Sequence, residues 1–431
     1  MQKRKITDQL NAWRLKTRKK PLVVGGARQV GKTYSINAFI RENYSNIISI
    51  NFEEMPRLRQ VFDDDLSVDS ILGQLTLLVP DVNPVPHSTV IFLDEIQSCP
   101  NAITALKFFS LDGRFDVIAT GSLLGMSYKE VSSFPVGYIE RLEMCSMDFE
   151  EFLWACHVSE KHIADLRRHF DEKSRIAPAV HEHMMALFKQ YIVVGGMPEV
   201  VDTFVKTGHY GETLDVQRTI IKDYTDDIAK YAVGAEKGKA RECFLSIPKQ
   251  LSRDYKKFRY STVDKNGSSR KYAGSLMWLY DAGIINFCYN LERIGLPLEG
   301  NAIPDSFKVY MRDTGLLVSM LEDGAQADII SGNLGIYKGA LYENIIADIF
   351  TKSGKKLYYY EYRSKIEMDF FIRYKDEATA VEVKSADHTK SKSMKTMLSS
   401  YGLKRGVKLS AKNIGVSGEV ETIPLYMAMF L

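Results

Sequence analysis

Short runs of β-branched and other apolar residues punctuate the first third of the chain at 22–24, 47–52, 90–93 and 117–119, and stretches of helical periodicity separate them. Apolar runs this short read as buried strands, and strands alternating with helices imply βαβ crossovers and a parallel sheet that binds ligands at its carboxyl ends. From about 149 to 230 the pattern turns helical, with a break at Gly195, Gly196 and Pro198. Between roughly 238 and 321 two amphipathic helices flank a polar, basic segment and are followed by two short strands at 284–289 and 307–310. That order suits a winged helix. After a Gly-, Asp- and Ser-rich stretch at 323–335, a helix over 340–352 leads into strands at 356–362, 368–374 and 378–383. The expected class is α/β, in four parts: a parallel-sheet domain at 1–155, a helical connection at 156–235, a winged-helix-like domain at 236–322 and a compact α/β domain at 323–431.

Composition narrows this picture without changing it. A chain of 431 residues has room for two or three domains of roughly 150 residues each. Hydrophobic residues at 45% and charged residues at 26% give the balance of a soluble globular protein. The net charge of +3 creates no field that would by itself mark a nucleic-acid or membrane partner, so any such surface must be local. Five cysteines, odd in number and never spaced C-x-x-C, argue against a disulfide framework or a zinc site and for a reducing cytoplasm. The basic start lacks an apolar signal core and no run approaches a membrane span, so a cytoplasmic protein with no membrane partner is expected. His181 and His183 have no thiol or carboxylate cluster beside them and read as surface residues.

The chemistry starts at Gly26-Ala27-Arg28-Gln29-Val30-Gly31-Lys32-Thr33, which fits G-x-x-x-x-G-K-[ST] and lies between an expected strand and helix. Gly26 and Gly31 let backbone N–H groups curl around phosphate oxygens, and the helix N-terminus adds partial positive charge. Lys32 reaches the β- and γ-phosphates and Thr33 offers its hydroxyl to magnesium. The apolar run 90–93 ends in Asp94 and Glu95, which puts one carboxylate beside the metal and the other beside an attacking water. Thr120 and Ser122 supply hydroxyls after the fourth strand, where they either sense the γ-phosphate or cap a helix, and Gln97 is similarly placed.

With these motifs, Pro135-Val136-Gly137, Phe149-Glu150-Glu151-Phe152, Gly195-Gly196-Met197-Pro198-Glu199, Tyr224-x-x-Asp227-Ile228-x-Lys230, the run from Phe307-Lys308-Val309-Tyr310 to Asp313-Thr314-Gly315-Leu316-Leu317, and Lys338-Gly339-x-Leu341-x-Glu343-Asn344 recur in order. The chain resembles, over nearly its whole length, the prokaryotic AAA-type ATPases that carry a C-terminal domain of unknown function related to restriction-endonuclease folds. The resemblance implies a P-loop ATPase core, a winged-helix middle and a nuclease-like end. It departs from the family pattern after Pro-Val-Gly, where Tyr138 replaces a basic residue and Arg141 is the nearest cation, which leaves an arginine finger unassigned.

The middle region offers Lys256, Lys257, Arg259, Lys265, Arg270 and Lys271 around a helix starting near Ser268, either as phosphate contacts or as a solvated face. In the last domain Glu343 lies on a helix, Asp369 opens a strand, and Glu382 and Lys384 share a face of the next one, the PD-(D/E)XK arrangement. Asp369, Glu382 and Glu343 are expected to hold a divalent cation and Lys384 to manage the attacking water. Eight basic residues (Lys384, Lys390, Lys392, Lys395, Lys404, Arg405, Lys408, Lys412) against Asp387 alone make the following segment positive, as phosphate tracking or plain solubility would require.

Two functions fit. One is an ATPase, using ATP and magnesium, whose nucleotide state controls a nuclease-like domain that binds or cleaves DNA. The other is an ATP-dependent switch for a protein partner that keeps an inactive nuclease-like scaffold. A homo-oligomer is compatible with both.

Overall fold

The apolar runs of the first third form one parallel sheet in the computed structural model, which describes residues 3–79, 83–122, 135–231, 236–253, 256–333, 338–362, 366–384 and 392–431. The side chains of Ser122, Lys230, Lys338 and Lys392, and residues Asp387 and Lys390, lie outside the described part. Two compact units divide the chain, residues 3–146 and 147–431.

The first unit is built on β1 (Leu22–Gly26), β2 (Asn46–Asn51), β3 (Thr89–Asp94), β4 (Asp116–Ser122) and β5 (Glu140–Glu143), in the order β2-β3-β4-β1-β5 with every neighbouring pair parallel. All residues of β1 and β3 are buried, as parallel strands covered on both faces require. Ile50, Phe52, Phe62, Leu75, Leu93 and Phe109 belong to the core on one side of the sheet. β5 escapes the apolar pattern because it is an edge strand written Glu-Arg-Leu-Glu, with alternate residues exposed.

The second unit begins at Met147, nine residues before the expected start at 156. Its first helix, Phe149–Ala155, opens with a capping box between Asp148 and Glu151 and seats Phe149 with its ring 5.2 Å from Phe188 and 5.3 Å from Tyr191. Further on come β6 (Ile285–Leu291), β7 (Ala302–Met311), β8 (Leu357–Tyr362), β9 (Ile366–Tyr374), β10 (Glu377–Val383), β11 (Gly406–Ser410), β12 (Gly415–Ser417) and β13 (Val420–Pro424). They form one mixed sheet in the order β12-β13-β11-β10-β9-β8-β6-β7.

The expected division between a winged helix and a last domain at 322 is therefore corrected: the two strands expected in a wing, β6 and β7, extend the C-terminal sheet through parallel pairing of β6 with β8. The physical reason is their burial. Ile285, Cys288, Leu291, Val309 and Tyr310 are almost fully inaccessible, too apolar for a solvated hairpin. The helices that flank the basic segment do form, at Glu236–Leu251 and Ser269–Asp281.

Several motifs quoted for the resemblance hold this unit together. Gly195 (φ 72°) ends the helix Pro178–Val194, and a Cβ on Gly196 would stand 1.9 Å from the Met147 carbonyl oxygen. Asp313 accepts from the Gly196 N–H at 2.8 Å, and Asn344 clips onto the Met311 backbone at 2.8 and 3.1 Å. Beneath them Lys352 is buried, donating to Asp348 at 2.9 Å, to the Met147 carbonyl at 3.1 Å and to the Tyr191 hydroxyl at 3.1 Å.

Candidate functional site

The loop after β1 turns so sharply that a side chain on Gly26 (φ 155°) would put Cβ 2.2 Å from the Met144 carbonyl oxygen. Gln29 and Gly31 both take left-handed backbone (φ 64° and 92°), and Gly31 caps the helix Lys32–Asn43 with no side-chain acceptor for its first N–H groups. Such a helix start is suited to an anion. Val30 is buried and its carbonyl accepts from Arg4 Nη1 at 3.0 Å, while Ala27 is half-buried and Arg28 exposed. Lys32 lies folded over the loop and donates to the carbonyls of Gly26 at 3.1 Å and Ala27 at 2.8 Å. Burial, opposed by the charges of Glu95 and Asp94, lowers its ammonium to about 8.

Asp94, buried at the carboxyl end of β3, is the hub of this site. Its carboxylate accepts from Thr33 Oγ1 at 3.1 and 3.2 Å, from Asn51 Nδ2 at 3.2 Å, from the Glu95 N–H at 3.1 Å and from Thr120 Oγ1. Glu95 takes left-handed backbone (φ 52°), at a cost of roughly 1–2 kcal/mol for a residue other than glycine. Its half-buried carboxylate accepts from the Gln97 amide, whose own oxygen has no hydrogen-bond partner. The motif residues thus converge. Thr120 turns out to brace Asp94, and Asn51 is the residue that motif reading missed, although a polar residue ending apolar β2 is the same signal that marks Asp94 on β3.

A hydroxyl and a carboxylate in contact, beside a lysine and a row of helix N–H groups, fit a magnesium–nucleoside triphosphate. Magnesium takes one or two protein oxygens and completes its shell with phosphate and water. The donors for that are Thr33 and Asp94.

The expected C-terminal cation site is different. Asp369 stands across from Glu382, one residue beyond the Val381–Phe370 pair of β10 and β9, and accepts from the Val383 N–H at 2.8 Å. Glu382, buried, pairs through one oxygen with Lys384 at 2.8 Å, and its other oxygen has no hydrogen-bond partner. Glu343 bonds Lys256 through one oxygen and the Tyr310 hydroxyl through the other at 3.1 Å. Lys308, fully buried on β7, stands 3.7 Å from Glu343 and 2.8 Å from Glu367. Although burial disfavours ionisation, Lys256 and Lys308 hold the Glu343 carboxyl below its usual range, and the surrounding acids keep Lys308 charged against its own burial. Burial and the charge of Glu343 raise the Asp369 carboxyl.

Among the described residues no group of three or more His, Cys, Asp or Glu side chains is placed to hold one metal ion. This corrects the expectation of a cation shared by Asp369, Glu382 and Glu343. Lysine ammonium groups meet Glu343 and Glu382, while Asp369 accepts from the Val383 N–H, and Lys256 and Lys308 come from the middle region.

The basic segments are also partly neutralised. Lys271 pairs with Asp264 at 2.6 Å, Lys404 with Glu377 at 2.9 Å and Arg405 with Glu421 at 3.3 Å. His181 is a correction as well: half-buried, it bonds the Tyr426 hydroxyl at 3.0 Å and the Ala411 carbonyl at 2.9 Å, a packing role. All five cysteines are free thiols. Among the described residues no helix is long and apolar enough to cross a membrane.

Residues 18–153 match the family described as AAA domain, and the chain carries a P-loop ATPase-like domain of that kind. Residues 185–327 and 338–427 match two domains of unknown function, DUF8612 and DUF4143. An uncharacterised protein of Methanocaldococcus jannaschii is 25% identical over 207 residues, which are 48% of this chain and 40% of that protein's length. Among solved structures, the Walker-type ATPase of Pyrococcus abyssi is 13% identical, covers 74% of this chain and 96% of its own, and has a TM-score of 0.43. The Aeropyrum pernix Orc1 protein in complex with DNA is 13% identical, with 76% and 90% covered and a TM-score of 0.30.

Proposed function

We propose that the first unit binds and hydrolyses ATP with magnesium, and that its nucleotide state switches a second unit that engages a protein partner and does not cleave nucleic acid. The observation that carries the ATP reading is the junction of Thr33 and Asp94 at 3.1–3.2 Å beside the lysine of a glycine-shaped loop. Bound magnesium would supply charge neutralisation on the phosphates, held by Thr33 and Asp94. Lys32 exchanges its bonds to the Gly26 and Ala27 carbonyls for phosphate oxygens, and the N–H groups at the start of its helix orient them. Glu95, steadied by Gln97, orients a water and accepts its proton. Asn51 and Thr120 keep the Asp94 carboxylate in place.

Lys32→Ala is expected to weaken ATP binding about 10- to 100-fold, the scale of one charge-assisted contact or two, with the melting temperature nearly unchanged. Equilibrium titration with a fluorescent ATP analogue measures this. Unaltered affinity would remove the site assignment.

For the second unit, the protein-partner reading is favoured over DNA cleavage by the lysines that meet Glu343 and by the ion pairs along both basic segments. Plasmid DNA incubated with the full chain, ATP and either magnesium or manganese is expected to remain intact and to elute unbound at physiological salt. Metal-dependent nicking that Asp369→Ala abolishes would restore the nuclease reading, and retention of DNA at that salt would make DNA the partner.

A further inference from the structure

An exposed tyrosine follows Lys32 and Thr33 on the helix Lys32–Asn43. Tyr34 keeps 62% of its surface in solvent, more than any other Phe, Tyr or Trp side chain among the described residues, and makes no hydrogen bond or ring contact there. Helical periodicity sets its direction. Ile36, Phe39 and Ile40 lie on the same side of the helix as Lys32 and are buried, whereas Tyr34 lies about 200° round from Lys32, on the opposite side.

The backbone of the same residue is placed for a phosphate. The Ser35 N–H donates to the Gly31 carbonyl at 3.0 Å, but the carbonyl four residues before Tyr34, that of Val30, accepts from Arg4 Nη1 at 3.0 Å. Among the described residues the Tyr34 N–H has no backbone acceptor, as expected in the first turn of a helix. Side chains of a helix lean toward its N-terminus, so the ring reaches back over the first turn, beside the loop that its own amide helps to line. In the ATP reading, Thr33 and Asp94 hold the metal and Glu95 the water at the terminal phosphate, all at the carboxyl end of β3. The triphosphate then runs from there across the helix start. Its nucleoside end leaves over the solvated face, because the opposite face is closed by Ile36, Phe39 and Ile40.

We propose that the base of the bound nucleoside triphosphate stacks on the Tyr34 ring, which makes Tyr34 the residue through which the site selects a nucleotide over a bare polyphosphate. The inference rests on the reading of the first unit as an ATP site and adds the group that recognises the base. A stacked ring gives affinity to any base through its π-face, and offers a larger contact to a purine.

The test is calorimetric titration of the full chain, in magnesium, with ATP and with inorganic tripolyphosphate. Tyr34→Ala is expected to bind ATP about 5- to 100-fold more weakly than wild type, the scale of one lost base stack, and tripolyphosphate within about twofold of wild type. Tyr34→Phe keeps the ring and should bind ATP within about threefold of wild type. Three results overturn the proposal: wild-type ATP affinity in Tyr34→Ala; an equal loss of tripolyphosphate, which would make Tyr34 a support of the phosphate loop; or a Tyr34→Phe chain as weak as Tyr34→Ala, which would make the hydroxyl the contact. Lys32→Ala separates these failures from failure of the ATP site. It should weaken both ligands, and a Lys32→Ala chain that binds both as well as wild type would remove the site itself.

Discussion

Glu95→Gln is expected to lower ATP turnover by about 10²- to 10³-fold while ATP affinity stays within about threefold of the wild type. The amide keeps the size of the side chain and can still bond Gln97, but it cannot accept a proton from water. Affinity should survive because the groups placed for the phosphates and the metal are Lys32, Thr33 and Asp94, and Glu95 makes no bond to any of them among the described contacts other than its backbone N–H to Asp94. The backbone supports the distinction. Glu95 holds left-handed backbone, a strained geometry of the kind that clusters at functional turns, and its carboxylate bonds Gln97. Steady-state phosphate release and an equilibrium ATP titration on the same preparation separate the two parameters. Loss of binding equal to the loss of turnover would assign Glu95 to holding the nucleotide rather than to the water.

The candidate nucleotide site was legible in the sequence because each part is local. A glycine loop, a lysine and a threonine lie within eight consecutive residues, and Asp94 and Glu95 close one apolar strand. Even the missed Asn51 follows the same rule, a polar residue at the end of a buried strand. What could not be read is that Asn51 and Thr120 meet at Asp94, since that depends on the strand order β2-β3-β4.

The second unit shows the opposite case. Parallel pairing of β6 with β8 joins residues about seventy positions apart and leaves no periodic trace, so β6 and β7 looked like a hairpin of their own. The acid motif was visible at Glu343, Asp369 and Glu382, but the cations at Glu343 are Lys256, which the sequence places in a basic segment of a different region, and Lys308, which it places on a strand of that region. Spacing can show that carboxylates share a face. It cannot show which cation a distant strand brings to them. The glycines 195, 196 and 315 were visible as motif letters, and their reason, close approach of the Asp313 carboxylate to Gly195 and of backbone to Gly196 and Gly315, required the fold.

The same limitation hides the largest stability effect expected in the molecule. Asp348 and Lys352 are four apart on one helix, a spacing that on a solvated face contributes only about 0.3–0.5 kcal/mol. Here both are almost wholly buried, at 2% and 3% side-chain exposure, and the ammonium also bonds the Met147 carbonyl and the Tyr191 hydroxyl and lies 4.0 Å from Asp313. Burial pushes the Asp348 carboxyl up to about 7 despite Lys352, and its Oδ1 has no hydrogen-bond partner. Lys352→Met, which preserves volume and removes the charge, should therefore destabilise the second unit by about 3–5 kcal/mol, because it leaves the acids at 313 and 348 buried without their cation. Adding Asp348→Asn to that variant removes one of the stranded charges and should restore about 1–2 kcal/mol, a coupling that a simple packing defect would not produce. Urea unfolding of wild type, both single variants and the double variant gives the cycle. A Lys352→Met chain within about 1 kcal/mol of wild type, or a double variant whose losses merely add, would mean that the buried pair is not what holds the helix Lys338–Lys352 against the Met147 backbone.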